Sequence, residues 1–199
     1  MPYAAGRLTK ICILLLFFAA SRTCATAEAA TAKSAYNLYK SDNGKFKFSF
    51  EYPPNWVVTD EILTNNKNSL ILSIYLPDPQ GEDEKRFAAS IFLWIMPTKD
   101  IGGRYQDVTE KADTYLRGDA AVVLNKKAII SDAEGYEIMT KRATKFAQGP
   151  DNMQNNEIIN HRILVEKDKY IYNLNLSYRA SDGDKFEPIF QRLMDTFEF

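Results

Sequence analysis

Apolar and polar residues alternate strictly between residues 45 and 52 of the chain. Aromatic side chains occupy every second position: Phe46, Phe48, Phe50 and Tyr52. A period of two predicts a β-strand that buries one face. Pro53 and Pro54 end this strand, because proline cannot donate a hydrogen bond to a neighbouring strand. We expect Trp56 to fold back and cover the edge of the core.

Two further segments are apolar on both faces of the strands that they would form. Residues 69–76 read SLILSIYL, and residues 86–97 read RFAASIFLWIMP. A strand without a polar face is buried on both sides. We therefore predict that residues 86–97 form a central strand and that other elements cover both faces of its sheet.

Four later segments have the composition of strands: residues 127–131, 135–142, 157–166 and 170–180. Three-residue connections, 132–134 and 167–169, join them in pairs, and such short connections favour antiparallel hairpins. Residues 146–155 are polar and contain Gly and Pro, which predicts an exposed loop. Together with the aromatic strand and its turn at residues 41–44, these segments predict an antiparallel sheet of about six or seven strands.

Two segments show helical spacing of apolar residues. The first begins at Asp107, which forms a capping-box pattern with Glu110, and ends near Gly118. The second covers residues 184–197, with Asp184 as the expected N-cap and Pro188 in the first turn. We predict an α+β fold in which helices flank both faces of the sheet, an α/β/α sandwich.

The first 27 residues are typical of a secretory signal peptide. Arg7 and Lys10 precede an apolar run over residues 11–20, and the Ala25-Thr26-Ala27 sequence supplies a cleavage site. The run is shorter than the ~20 residues that span a bilayer. A retained N-terminal anchor is the alternative. We predict a signal peptide at residues 1–27, a flexible tether at 28–34 and a single domain at 35–199.

Both cysteines, Cys12 and Cys24, lie inside this leader. Lipidation of Cys24 is an alternative to cleavage after Ala27, although Ser21 and Thr23 fit the lipoprotein pattern poorly. Cleavage after Ala27 leaves a mature chain without cysteine. An exported domain of this kind depends on its core, with no disulfide to stabilise it.

The charge balance disfavours nucleic acid and anionic lipid as partners. The chain has 25 basic and 26 acidic residues, and the leader contributes three basic residues and no acidic one, leaving 22 against 26. No basic tract occurs, and both partners require concentrated positive charge. After cleavage, we predict an exported protein, periplasmic or lumenal, without direct membrane insertion.

The residue types used most often in catalysis are scarce. His161 is the only histidine, and it falls in register with the apolar Ile159 and Ile163, so we predict a hydrogen-bonded packing residue. One histidine and no mature cysteine do not supply the common zinc, haem or copper sites. We predict no catalytic site, no cofactor and no metal site.

The acidic residues leave two alternatives open. Acids in the loop at residues 77–86 and around Gly183 do not match a calcium loop and are predicted to be solvated turns, with weak calcium binding as the alternative. A carboxylate-based hydrolase of the envelope would need two acids about 5–10 Å apart. We expect the partner surface on the loops. Its candidate residues are Asp78, Glu82, Asp83, Glu84, Asp151, Asn152 and Gln154.

Two segments resemble the PsbP-like superfamily. Residues 44–56, GKFKFSFEYPPNW, resemble its first signature, and residues 186–199, FEPIFQRLMDTFEF, are similar to its terminal helix with a final Ser/Thr-Phe-x-Phe. The resemblance implies a sheet with helices on both faces. It also implies a binding or assembly role, as in the extrinsic protein of the oxygen-evolving complex and the DcrB-type envelope lipoproteins. The matching positions are structural, so no functional residue is carried over.

These observations predict an exported, non-enzymatic accessory protein that docks on an envelope or membrane-associated protein complex. An extrinsic subunit of a photosynthetic oxygen-evolving complex, with weak calcium binding, is the alternative that the resemblance implies. The expected partner is a protein, and the sequence does not define an oligomeric state.

Overall fold

A computed structural model describes residues 36–64, 67–77, 87–147 and 153–199. The predicted leader and tether lie outside these residues. The described strands are β1 (Asn37–Lys40), β2 (Ser49–Tyr52), β3 (Val57–Val58), β4 (Ile62–Thr64), β5 (Ser69–Pro77), β6 (Phe87–Pro97), β7 (Ala121–Ile130), β8 (Ala133–Ala147), β9 (Met153–Lys167) and β10 (Tyr170–Arg179). The described α-helices are α1 (Val108–Leu116) and α2 (Gly183–Asp195).

Eight of the described strands form one antiparallel sheet in the order β3-β5-β6-β10-β9-β8-β7, with β4 pairing with β5 beside β3. The predicted antiparallel sheet is confirmed, and β6 is internal, as its unbroken apolar pattern predicted. The predicted number of six or seven strands was too low. Strands β3 and β4 have two and three residues, which is too short for an alternating pattern to appear.

Two tight turns set the register of the long strands. Ser131 and Asp132 connect β7 to β8, and Asp168 and Lys169 connect β9 to β10, all four with positive φ. Two consecutive positive φ angles are typical of the type I′ turn, whose twist matches that of the flanking strands. The predicted connection at residues 132–134 was wrong, because β8 already begins at Ala133.

The predicted loop at residues 146–155 was also largely wrong. Strand β8 continues to Ala147 and β9 starts at Met153, so only residues 148–152 lie between them, and these are outside the described residues. The polar composition suggested a loop. The β8–β9 ladder nevertheless extends to the pair Ala147–Met153, because backbone hydrogen bonds do not require apolar side chains.

The aromatic stretch that opens the domain is buried as its alternation predicted. Phe46, Phe48 and Phe50 are buried, whereas Lys47 is exposed. Regular strand geometry begins only at Ser49, and β2 pairs with β1 in a separate two-stranded sheet. One buried cluster contains Phe48, Phe50, Leu93, Ile95, Leu174 and Phe190. Trp56 is buried in the same cluster, as expected.

Buried side chains form two clusters that use alternate residues of the same strands. Ile163 and Val165 of β9 pack in the larger cluster with Phe190 of α2. Leu164, between them, packs in the smaller cluster with Ala112 of α1. Because successive side chains of a strand point in opposite directions, the two clusters lie on opposite faces of the sheet.

The helix boundaries follow local capping chemistry only in part. The Asp107 side chain accepts a hydrogen bond from the Glu110 backbone N–H at 2.9 Å, which confirms the predicted cap of α1. The prediction for α2 was wrong in detail: the helix begins at Gly183, and Asp182, not Asp184, occupies the N-cap position. Pro188 therefore lies in the second turn, where it removes one helical hydrogen bond.

Candidate functional site

His161 lies at the centre of a buried polar network between the sheet and α2. Its Nδ1 is 2.7 Å from Glu187 Oε2 on α2, and its Nε2 is 3.0 Å from Glu137 Oε1 on β8. Lys126 Nζ contacts the other oxygen of Glu137 at 2.9 Å. Tyr178 on β10 donates to the other oxygen of Glu187. The network therefore joins four adjacent strands of the sheet to one helix.

The hydrogen bonds of this network act on the Glu187 carboxyl and the Tyr178 hydroxyl. An ionised carboxylate only accepts hydrogen bonds, so Tyr178 is the donor in its contact with Glu187. Burial raises the pKa of the Glu187 carboxyl, but the hydrogen bonds from His161 and Tyr178 and the His161 charge outweigh burial, and the net pKa is lowered. Burial, followed by the hydrogen bond to Glu187, raises the pKa of Tyr178.

The position of His161 suits a structural ion-pair network. Only 5% of its side chain is exposed, and the ring packs edge-on against Phe190 at a centroid distance of 5.0 Å. This environment confirms the predicted hydrogen-bonded packing position. The contacts of His161 with Glu187 on α2 and with Glu137 on β8 therefore hold α2 against the sheet.

A second polar cluster surrounds Lys111 beneath α1. The Lys111 side chain is buried, and its Nζ lies 4.5–5.4 Å from the ring centroids of Tyr105, Tyr115 and Trp94. Arg162 stacks on Tyr115 at 4.4 Å, and burial lowers the pKa of its guanidinium. Aromatic faces attract cations, most strongly where water is excluded. They therefore stabilise the buried Lys111 and the half-buried Arg162.

A pocket of about 640 Å³ adjoins this cluster through Trp94 and Tyr105, with Arg104 at its wall. The loop that forms it requires glycine at position 103, where a Cβ would lie 1.7 Å from the Pro97 carbonyl oxygen. The Trp94 Nε1 atom is buried without a hydrogen-bond partner. Among the described residues that line it, the pocket combines an aromatic wall with one cation and no paired acids.

The third feature is the edge strand β7. In the described sheet it pairs with β8 on one side only, and it spans ten residues. Val122, Val123 and Ile129 are exposed, with Ile129 at 70%. The opposite edge ends in the very short strands β3 and β4, a common protection against unwanted pairing. Strand β7 is instead a long edge that carries exposed apolar side chains.

The structure does not test the predicted partner-surface residues. Asp78, Glu82, Asp83, Glu84, Asp151 and Asn152 lie outside the described residues, and Gln154 lies in β9, with its side chain not described. Sequence reasoning missed β7 as an edge and Glu137 and Glu187 as partners of His161. Residues 121–126 are exposed almost throughout, so no alternating pattern marked them as a strand.

Two features are absent from the part of the chain that the structure describes. The described residues contain no group of three or more His, Cys, Asp or Glu side chains arranged to hold a metal ion. Neither of their α-helices is long and apolar enough to cross a membrane.

Comparison with known proteins gives similarity of fold only. No family profile matches the chain, and no curated protein is significantly similar in sequence. Its fold is similar to cyanobacterial PsbP from Synechocystis sp. PCC 6803, with 12% identity and a TM-score of 0.47 over 85% of this chain and 95% of that protein. A Pseudomonas aeruginosa protein of unknown function has 13% identity and a TM-score of 0.47 over 81% and 94% of the two chains.

A protein from Bacteroides thetaiotaomicron has 11% identity and a TM-score of 0.42 over 76% of this chain. The match spans only 44% of the length of that protein. At these identities no functional residue is carried over from any of the three structures.

Proposed function

We propose that this protein is an exported, non-enzymatic accessory protein whose PsbP-like α/β/α domain docks on a membrane-associated protein complex. The two segments that resemble the superfamily pack against each other, which supports the family assignment. Phe48 stacks on Phe197 at 5.9 Å, and Trp56 meets Phe186 edge-on at 6.1 Å. Ser49 and Glu198 also exchange backbone hydrogen bonds.

The observation that carries the docking role is the β7 edge. Exposed apolar side chains on a long edge strand favour association with another protein, because unpaired backbone groups and apolar area are both available. The burial of His161, with a carboxylate at each ring nitrogen, supports the non-enzymatic part of the proposal. Export is supported by the leader of residues 1–27.

Photo-crosslinking from the native envelope tests the proposal. A photoreactive residue at position 129 should give one specific adduct with a protein of a membrane complex. The matched control is position 62, because Ile62 is also exposed, at 56%, and lies at the opposite edge of the sheet. Mass spectrometry of the same sample should find the mature N-terminus near Glu28.

Equal adducts from both positions, or none from position 129, would contradict the docking role. A full-length N-terminus retained in the membrane would contradict export with cleavage.

A further inference from the structure

The regular part of the β7 edge coincides with two grooves, one on each side of the sheet. The β7–β8 register is interrupted between Val122 and Leu124 and is continuous from Leu124 to Ile130. One groove, of about 590 Å³, lies between β7 and the start of α1 and is lined by Val108, Thr109 and Tyr136. The other, of about 280 Å³, lies between β7 and the end of α2 and is lined by Gln191 and Met194.

Side chains of this segment alternate between the two grooves. Ile130 packs in the cluster that contains α2, and Lys126 pairs with Glu137 of the His161 network on the same face. Lys127 lies opposite Tyr136, which packs in the cluster that contains α1. Lys127 and Ile129 therefore face the α1 groove, since alternate residues share one face of a strand.

We propose that β7 is a docking site for an extended segment of a partner protein, which adds to the sheet as a further strand along residues 124–130. In this mode backbone hydrogen bonds provide affinity, and pockets for alternate side chains provide specificity. The segment would place successive side chains in the α1 groove and the α2 groove. The inference rests on the proposed docking function and names how docking occurs.

Charge defines the chemistry of the incoming segment. Lys127 is exposed, and no carboxylate of the described residues lies within ion-pair distance of it. Glu134 lies opposite Ile129 on the same face, where its charge disfavours an incoming acidic residue. An acidic residue is therefore favoured beside Lys127, and an apolar residue is favoured beside Ile129. We therefore assign the occupant as a strand with an acidic residue and an apolar residue two positions apart.

A second copy of this chain fits the edge less well. Two copies of β7 could pair along the whole of residues 124–130 only in a twofold antiparallel register centred on Lys127. This register places the two Lys127 side chains directly opposite each other. Like charges in opposite positions destabilise a strand pair. The opposed Lys127 side chains thus disfavour self-association, and Lys127 favours an acidic partner.

Selection of displayed random ten-residue peptides on the purified mature protein tests the mode of binding. Selected peptides should have apolar residues at alternate positions and should contain Glu or Asp. When such a synthetic peptide binds, hydrogen exchange should slow at alternate amides of residues 124–130. Lys127→Glu should weaken binding of the acidic peptide about tenfold. Replacing the acidic residue of the peptide with Lys should restore binding to this variant. Lys99→Glu, on an exposed turn away from β7, is the matched control.

Four outcomes would overturn the inference. The first is that the selection yields no binding peptide, and the second is that a peptide binds without slowing hydrogen exchange at alternate β7 amides. The third is that Lys127→Glu and Lys99→Glu weaken peptide binding equally. The fourth is that sedimentation shows a dimer formed through β7. If any of these outcomes is found together with a specific crosslink from position 129, strand addition is rejected and the docking function is still supported. Peptide addition to β7 without a crosslink in the envelope would reject the docking function instead.

Discussion

Replacing His161 tests whether the buried network stabilises the fold or serves chemistry. His161→Leu keeps a side chain of similar size against Phe190 and removes both contacts, at 2.7 Å to Glu187 and 3.0 Å to Glu137. His161→Gln keeps one amide nitrogen that can donate to one of the two carboxylates. The pair of variants therefore separates the loss of two charged hydrogen bonds from the loss of one.

The size of the effect follows from the surroundings of the two carboxylates. A hydrogen bond to a charged group contributes about 1.5–3 kcal/mol. Glu137 keeps Lys126 and Glu187 keeps Tyr178, and their side chains are 15% and 31% exposed, so water relieves part of the loss. We expect about 3 kcal/mol for His161→Leu and about 1.5 kcal/mol for His161→Gln.

Urea unfolding at neutral pH measures these differences. With an m-value of about 2 kcal/mol/M, His161→Leu should lower the midpoint by roughly 1.5 M. Lys99→Gln, on the exposed turn after β6, is the control and should stay within about 0.5 kcal/mol. Crosslinking from position 129 should be retained in His161→Gln. An unchanged unfolding curve combined with a lost crosslink would refute the structural role of His161.

Two further predictions concern the same core. Glu187→Gln should destabilise the protein near pH 7, and its difference from wild type in urea should shrink below about pH 4.5. The folded pKa of Glu187 is lowered from its ordinary value of 4.5. The contribution of Glu187 to stability is therefore complete above that value and is lost as pH falls through the folded pKa. A stability difference between variant and wild type that stays constant down to pH 3 would contradict this prediction. Phe50→Ala should cost about 3–5 kcal/mol and Lys47→Ala less than about 0.5 kcal/mol by the same assay, and equal losses would show that the register is wrong.

Most of the core was predictable because alternation reports local backbone geometry. The period of two in the aromatic stretch identified Phe46, Phe48 and Phe50 as buried, even though regular pairing starts only at Ser49. The last strand shows the same correspondence, since Tyr172, Leu174 and Leu176 all pack in the larger cluster. Segments without a repeating pattern, such as residues 121–126, could not be identified in this way.

The sequence by itself determined most of the buried apolar positions and that strands joined by short connections pair in antiparallel hairpins. Those properties depend on residues close together in the chain. Only the tertiary structure decided that β7 is an edge and that His161 meets Glu137 and Glu187, which are 24 and 26 residues away. Strand order and contacts between distant charges depend on how the sheet assembles as a whole, and no local period encodes them.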